Sequence, residues 1–496
     1  MRSEGHEALL NYIDGEWVPG ESGRTISNLN PADTRVPLGL VVDSSSADAK
    51  RAIEAASHAF HSWRKVPPPK RGDYLLEAMR LMSARRDALA RALTLEEGKT
   101  LADSLGEVSK TILLLEFIAG ESLRLNGQTI PSELPRTFAY TVRAPLGVCG
   151  LITPWNFPVA IPVWKLAPAL VAGNTVVLKP SPFTPWTAQL IVQIFADAGL
   201  PRGVLNLVHG AAAPGEAMIA HPDVRALSFT GSSKTGAHVY EAGARLLKKV
   251  QCEMGGKNPV IVLDDADLEL AASSTVVGAF GSTGQRCTAT SRAIVLEEVA
   301  DELVERLEAK AKVLSIGNGM SPGVDVGPSV SKEQLEKVLH YHGVARAEGL
   351  KLVTGGTRVE EGDLVHGYFS SPTIYDHVPR DSRLAKEEVF GPVLSVVRVK
   401  SWKEALEVSN AVAYGLSSSV FTQDVTRVME YVDEVETGIL HVNSPTIGGE
   451  AQLPFGGMKA TGVGQREMGP TAVDFFSEWK TVYVDYTGTR RDSKIY

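Results

Sequence analysis

The chain has 496 residues, 44% hydrophobic and 22% charged, enough apolar sequence to fill more than one buried core. Its formal net charge of -8 leaves no basic footprint for nucleic acid, and no Lys/Arg-rich amphipathic segment is present to hold a membrane surface. Three cysteines (Cys149, Cys252 and Cys287) without metal-type spacing argue against a disulfide framework and a metal site, and make the cytoplasm the expected compartment.

The N-terminal stretch Met1–Leu10 is charged and lacks the apolar core of a signal peptide. Asn126–Val142 is extended and rich in Thr, Val and aromatics, as is Phe475–Tyr486 near the other end. The two are expected to pair as an arm outside the main sheets, and exposed strands of that kind invite pairing with another subunit. The most apolar stretch, Val159–Val177, carries Lys165, Pro162 and Pro168, a poor composition for a membrane span. From Leu146 onward, short β-branched runs alternate with helical patterns. Val176–Lys179, Val204–Val208, Ala226–Phe229 and Val250–Cys252 read as strands; Thr187–Ala198, Pro214–His221 and Lys234–Leu247 read as helices. This alternation predicts a parallel, doubly wound sheet covered on both faces. A second series follows in Val260–Leu263, Ala289–Leu296 and the helices Ala300–Leu314 and Lys332–Glu348. Two α/β sheets in sequence predict two domains with a cleft between them.

Several turns in this frame carry chemistry. Thr153-Pro154-Trp155-Asn156-Phe157-Pro158 is braced by prolines, which suits a side chain that must be held still; the Asn156 amide is a candidate donor to an oxyanion. Lys179 ends a buried strand at the edge where open α/β sheets bind ligands, and is followed by Pro180-Ser181-Pro182. The Gly-x-Gly-x-x-Gly fingerprint is absent, but Phe229-Thr230-Gly231-Ser232 leaves a strand and opens a helix whose N–H groups suit a pyrophosphate. Alone, such a turn is more often plain turn chemistry. Glu253, before Met254-Gly255-Gly256, is a candidate base with glycines beside it that admit a ligand. A lone cysteine is more often a buried structural thiol than a nucleophile. Cys287, in Gly284-Gln285-Arg286-Cys287-Thr288, stands apart because its neighbours are polar and Arg286 is expected to favour the thiolate. Cys149 and Cys252 read as structural.

Together these motifs resemble the aldehyde dehydrogenase superfamily from about Tyr12 to Val484, with Glu387-Glu388-Val389-Phe390-Gly391-Pro392 and Pro454-Phe455-Gly456-Gly457 completing the set. The resemblance implies a Rossmann-type cofactor domain (1–125 and 146–252) and an α/β catalytic domain (253–445). It also implies an oligomerisation arm (126–145 and 475–490) and a return past the active-site rim (446–474). Homodimers or homotetramers are then expected. It assigns Cys287 as nucleophile, Glu253 as general base and Asn156, with the Cys287 N–H, as the oxyanion hole. Lys179 and Ser181 would hold the adenosine ribose, Trp155, Gly231 and Ser232 the pyrophosphate, and Glu388 and Phe390 the nicotinamide ribose and ring. Lys165 and Glu467 match a proton path behind the base. NAD-preferring members carry a glutamate where this chain has Pro182, so NADP is expected to be used, and preferred over NAD.

Within the superfamily the chain resembles most the α-ketoglutaric semialdehyde (2,5-dioxopentanoate) dehydrogenases, through Pro158–Lys165, Ser282–Arg292 and Leu453–Lys459. The substrate would then be a short acidic aldehyde, whose far carboxylate needs a cation. Arg286 leads the candidates, ahead of Lys110 and Arg124, with Phe455 as an apolar contact. Succinic semialdehyde or a broad range of aliphatic aldehydes would use the same machinery. A non-catalytic structural protein on this fold would need none of Cys287, Glu253 and Asn156.

Overall fold

A computed structural model describes residues 8–489. Residues 1–7 of the expected cofactor domain and residue 490 of the expected arm lie outside the described residues.

The strand runs read from the sequence are buried on both faces, and that burial builds the first sheet. Its order is Glu16–Val18, Asn11–Ile13, Leu205–Leu207, Thr175–Lys179, Val148–Ile152, Val224–Thr230, Lys249–Glu253 and Gly462–Val463. The five central strands are parallel and the outer ones antiparallel. The apolar stretch after Val159 becomes the helix Ala160–Ala172, with every residue buried, followed by the strand Thr175–Lys179. Burial between helices and sheet, rather than lipid, is what its hydrophobicity serves.

The second sheet runs Lys351–Thr354, Thr373–Asp376, Val393–Val399, Thr290–Leu296, Asn258–Val262, Ser417–Phe421 and Ile439–Val442, parallel except for its first pair. The fold is thus mixed α/β with two largely parallel sheets. Most expected elements shift by only a residue or two. The helix expected to begin at Ala300 begins at Glu297, because Glu297 and Glu298 form a charged first turn that periodicity overlooks and the helix dipole favours.

The strand Ser477–Asp485 pairs antiparallel with Thr137–Pro145, from Ser477 opposite Pro145 to Asp485 opposite Thr137. Thr129–Ile130 adds a third strand to this sheet, which leaves Phe138, Trp479 and Tyr483 exposed.

Parallel strands end together. Ile152 lies beside both Lys179 and Phe229, and Thr230 lies beside Glu253. The turns that carry Asn156, Ser181, Ser232 and Gly255 therefore leave the sheet at one edge.

Candidate functional site

Cys287 sits at the end of an irregular turn. The helix Leu268–Phe280 gives way to Gly281–Gly284, where Ser282 (φ 48°) and Thr283 (φ 60°) hold left-handed backbone. Side chains lock this turn in place. Thr283 Oγ1 donates to the Gly327 carbonyl at 3.0 Å, and Gln285 Oε1 accepts from the Val330 N–H at 3.0 Å. Asn258 Nδ2 donates to the Cys287 carbonyl at 2.8 Å. Gly256 must lack a side chain here, since a Cβ would stand 2.7 Å from that carbonyl.

Burial, reinforced by the carboxylates of Glu253 and Glu388, pushes the Cys287 thiol up to about 12. The expectation that Arg286 favours the thiolate is corrected here. Its guanidinium turns instead to Asp103 Oδ1 at 2.8 Å and to Ser282 Oγ. The other two thiols are buried; burial raises Cys252 to about 12 and Cys149 further still.

Glu253 ends its strand buried, and among the described residues its Oε2 has no hydrogen-bond partner. Burial first, then the charge of Glu467, pushes its carboxyl well above the usual range, while Lys165 and Arg466 oppose the rise. Behind it, Lys165 Nζ contacts Glu467 and donates to Ser228 Oγ at 2.8 Å, which in turn donates to Gln251 Oε1 at 2.9 Å. Lys165 and Glu467 are thus brought together beside Glu253.

Asn156 is buried, with Nδ2 donating to the Gln285 carbonyl at 3.1 Å, one residue before Arg286-Cys287. Its second amide N–H is left over. The loop is fixed by a pair that sequence reading missed. Lys99 Nζ donates to Glu107 Oε2 at 2.9 Å and to the Asn156 carbonyl at 2.5 Å. Glu107 Oε1 accepts from the N–H groups of Val159 and Ala160 at 2.8 and 3.0 Å. Lys99 precedes the cap Thr100 and Glu107 lies about two turns into the helix Leu101–Glu121, so they meet only once that helix has formed.

Cys287 lines two cavities at once. The first, about 170 Å³, is walled by Trp155, Asn156, Thr230, Gly231, Ser232, Gly255, Glu388 and Phe390. Trp155 meets Phe390 edge-on with centroids 5.5 Å apart, and Glu388 Oε1 accepts from the Gly256 N–H at 2.9 Å. Glu388 packs so closely on Gly255 that a Cβ there would lie 2.3 Å from its carboxylate. Gln334 and Lys337, both unremarked in the sequence, also reach this cavity from the helix Lys332–Ala347. Lys179 and Ser181 lie outside it, at the end of the neighbouring strand. Lys179 Nζ donates to the Pro180 carbonyl, and burial lowers it to about 8.

The second cavity, about 280 Å³, holds Glu253, Glu467, Arg286, Phe455, Lys110 and Trp164 as well as Cys287. Arg124 does not join it; its exposed guanidinium pairs with the buried Glu121. No cluster of metal-ligating side chains occurs among the described residues, and no helix there is long and apolar enough to cross a membrane.

The first cavity suits the pyrophosphate and nicotinamide end of a dinucleotide. It has the start of the helix Ser233–Arg245, an apolar slot at Trp155 and Phe390, and a carboxylate in Glu388. Thr230 Oγ1 in its wall, and Thr153 Oγ1 and His209 Nε2 nearby along the sheet edge, are buried without partners among the described residues.

Comparison with known proteins gives the same picture. The profile of the aldehyde dehydrogenase family matches residues 17–482. An α-ketoglutaric semialdehyde dehydrogenase of Bacillus subtilis is 44% identical over 96% of this chain and 98% of its own length. A 2,5-dioxopentanoate dehydrogenase of Saccharolobus solfataricus is 43% identical over 94% and 98%. Among solved structures, betaine aldehyde dehydrogenase of Staphylococcus aureus in complex with NAD+ superposes with a TM-score of 0.96 at 34% identity, covering 99% of this chain and 97% of that one. The chain belongs to the aldehyde dehydrogenase family.

Proposed function

We propose that this enzyme oxidises a short acidic semialdehyde to the dicarboxylate, with α-ketoglutaric semialdehyde going to 2-oxoglutarate. The reading is carried by one observation: Cys287 stands between a cavity fit for the nicotinamide end of a dinucleotide and a cavity that holds Glu253, whose Oε2 has no partner among the described residues. The relatives named above supply the substrate.

Cys287, once deprotonated, attacks the aldehyde carbon, and the free N–H of Asn156 with the Cys287 N–H holds the oxyanion of the hemithioacetal. The nicotinamide cofactor, when bound, supplies the acceptor for the hydride that leaves this carbon. Water deprotonated by Glu253 then cleaves the thioester left on Cys287 and releases the acid. Lys165 and Glu467 form the path by which that proton leaves the buried carboxylate.

Trp155, Gly231 and Ser232 would hold the pyrophosphate, Glu388 and Phe390 the nicotinamide end, and Lys179 and Ser181 the adenosine ribose. Lys179 has no ion pair among the described residues, and Pro182 puts no carboxylate beside it. A buried cation in that state favours a 2′-phosphate, so NADP is preferred over NAD. The exposed aromatics of the arm support a homodimer or homotetramer, and three unpaired cysteines suit a reducing cytoplasm. Residues 253–445 then form the catalytic domain against a cofactor domain of 1–125 and 146–252, with 126–145 and 475–490 as the arm and 446–474 as the rim.

The test is a panel of kcat/KM values for acidic and neutral aldehydes with both cofactors, run beside Cys287→Ala. Acidic semialdehydes with NADP are expected to rank first, and Cys287→Ala to be inactive. Preference for neutral aldehydes overturns the substrate class, equal or better efficiency with NAD overturns the cofactor preference, and turnover by the variant overturns the mechanism.

A further inference from the structure

The helix Leu101–Glu121 turns one face toward the second cavity, and Asp103, Gly106, Glu107 and Lys110 follow one another along it. Three of the charges in that wall already have partners. Asp103 is held by Arg286, Arg286 by Asp103 and Ser282, and Glu107 by Lys99 and two backbone N–H groups. Lys110 is different. It has no ion pair and no hydrogen bond among the described residues, although its neighbours include carboxylates. Its ammonium lies 5.6 Å from the Trp164 ring centroid, a weak substitute for a carboxylate.

The backbone at 448–449 closes over this amine. A Cβ on Gly449 (φ 156°) would come within 3.3 Å of Lys110 Nζ, so glycine allows the loop to pass close above it. Lys110 also lines the outer vestibule with Leu113, Phe117 and Gly449, so it stands where the substrate cavity opens outward. Burial lowers its proton affinity, and Arg286 adds to the effect, while Cys287, Glu107 and Glu450 oppose it.

We infer that Lys110, rather than Arg286, is the specificity-determining residue that receives the far carboxylate of the acidic aldehyde while its carbonyl lies at Cys287. This inference rests on the acidic-substrate reading above. An ammonium offers three donors, so it can satisfy both carboxylate oxygens and still touch the Trp164 face. The carboxylate returns to Lys110 the charge partner that burial has denied it. Arg286, tied down by Asp103 and Ser282, shapes the turn before Cys287 instead.

The test uses the full-length enzyme, α-ketoglutaric semialdehyde and an uncharged aldehyde of the same length. Lys110→Met keeps the apolar stem against Trp164 and removes the charge. The acidic-over-neutral ratio of kcat/KM is expected to fall roughly 10- to 100-fold, mostly through KM, as loss of a charged hydrogen bond predicts. Lys110→Arg restores most of the ratio. In the wild type the same ratio declines as pH rises through the lowered proton affinity of Lys110, and in Lys110→Met this decline disappears. A wild type that prefers the neutral aldehyde overturns the acidic-substrate reading and the Lys110 assignment with it. A wild type that prefers the acid, with Lys110→Met leaving the ratio unchanged or lowering both substrates equally, overturns the Lys110 assignment alone.

Discussion

Replacing Glu253 by glutamine keeps the shape of the side chain and removes only its ability to take a proton. Glu253 is buried, its Oε2 lacks a partner, and it faces the same cavity as Cys287. Under the proposed mechanism it acts after the hydride has left, so the two halves of the turnover should separate. Steady-state kcat is expected to fall by about 10²–10⁴, or roughly 3–5 kcal/mol of barrier, the usual yield of general-base catalysis. The first turnover should survive, giving a burst of reduced cofactor close to one equivalent per active site in rapid-mixing absorbance.

The pH dependence carries the same sign. Hydrolysis needs the ionised carboxylate, so the wild-type rate rises with pH through the raised value of Glu253, and this limb vanishes in Glu253→Gln. Stability moves the other way. A folded-state value above the unfolded one means the folded protein holds the proton more tightly. The stability linked to Glu253 is therefore present below the ordinary carboxylate value and lost as pH rises through the folded one. The variant should melt at or above the wild-type temperature near neutral pH, because it no longer buries a charge. Loss of the burst along with the steady state refutes a role confined to hydrolysis. A steady-state rate within about tenfold of wild type refutes the role of base altogether.

Asn156→Ala should slow the burst itself by about 10²–10³, because the donor is needed before the hydride leaves; a normal burst in rapid mixing rejects the oxyanion role. Gly256→Ala places a Cβ 2.7 Å from the Cys287 carbonyl, which must move the nucleophile. A loss on the order of 10² in kcat, as expected for a displacement of about 1 Å, should come with slower alkylation of Cys287. Unchanged alkylation and turnover count against that reading. Lys165→Met removes the cation that opposes the raised proton affinity of Glu253, so the rising limb of the kcat–pH profile should move to higher pH. A limb that stays in place, or moves down, separates Lys165 from the base.

The parallel strands were legible because burial on both faces leaves continuous β-branched runs such as Val176–Lys179. Cys287, Glu253 and Asn156 stood out because each sits in a short motif with glycine or proline beside it, and the turns hold them where the sheet edge collects them. Other parts depend on meetings that spacing does not encode. Lys99 and Glu107 straddle a cap in sequence, yet they join to fix Asn156 from below. Gln334 and Lys337 belong to a helix with an ordinary polar pattern, and only the docking of that helix brings them to the dinucleotide cavity. Arg286 misled for a related reason. Adjacency to Cys287 suggested a charge serving the thiol, but Asp103 on a helix distant in the chain claims the guanidinium. Lys110 was ranked low because nothing next to it in the chain betrays the cavity it faces.

The paired proton affinities of the thiol and the base bear on the order of events. Glu253 is among the groups that raise Cys287, so a thiolate and an ionised Glu253 repel across one cavity. The proposed chemistry needs each charge, but not at the same time. Attack needs the thiolate; hydrolysis needs the carboxylate, and by then the sulfur is a neutral thioester. Acylation therefore lifts the repulsion from Glu253 and lets it ionise more readily, so the carboxyl is held protonated while the thiol is nucleophilic and is free to act as base once water is required. Charging the thiol and the carboxyl one at a time also spares the fold the cost of holding both charges in one cavity. On this reasoning Glu253→Gln should lower the proton affinity of Cys287, and the alkylation rate of the free enzyme should reach half its maximum at a lower pH than in the wild type. A midpoint that rises or stays fixed would mean that the two groups do not share the charge.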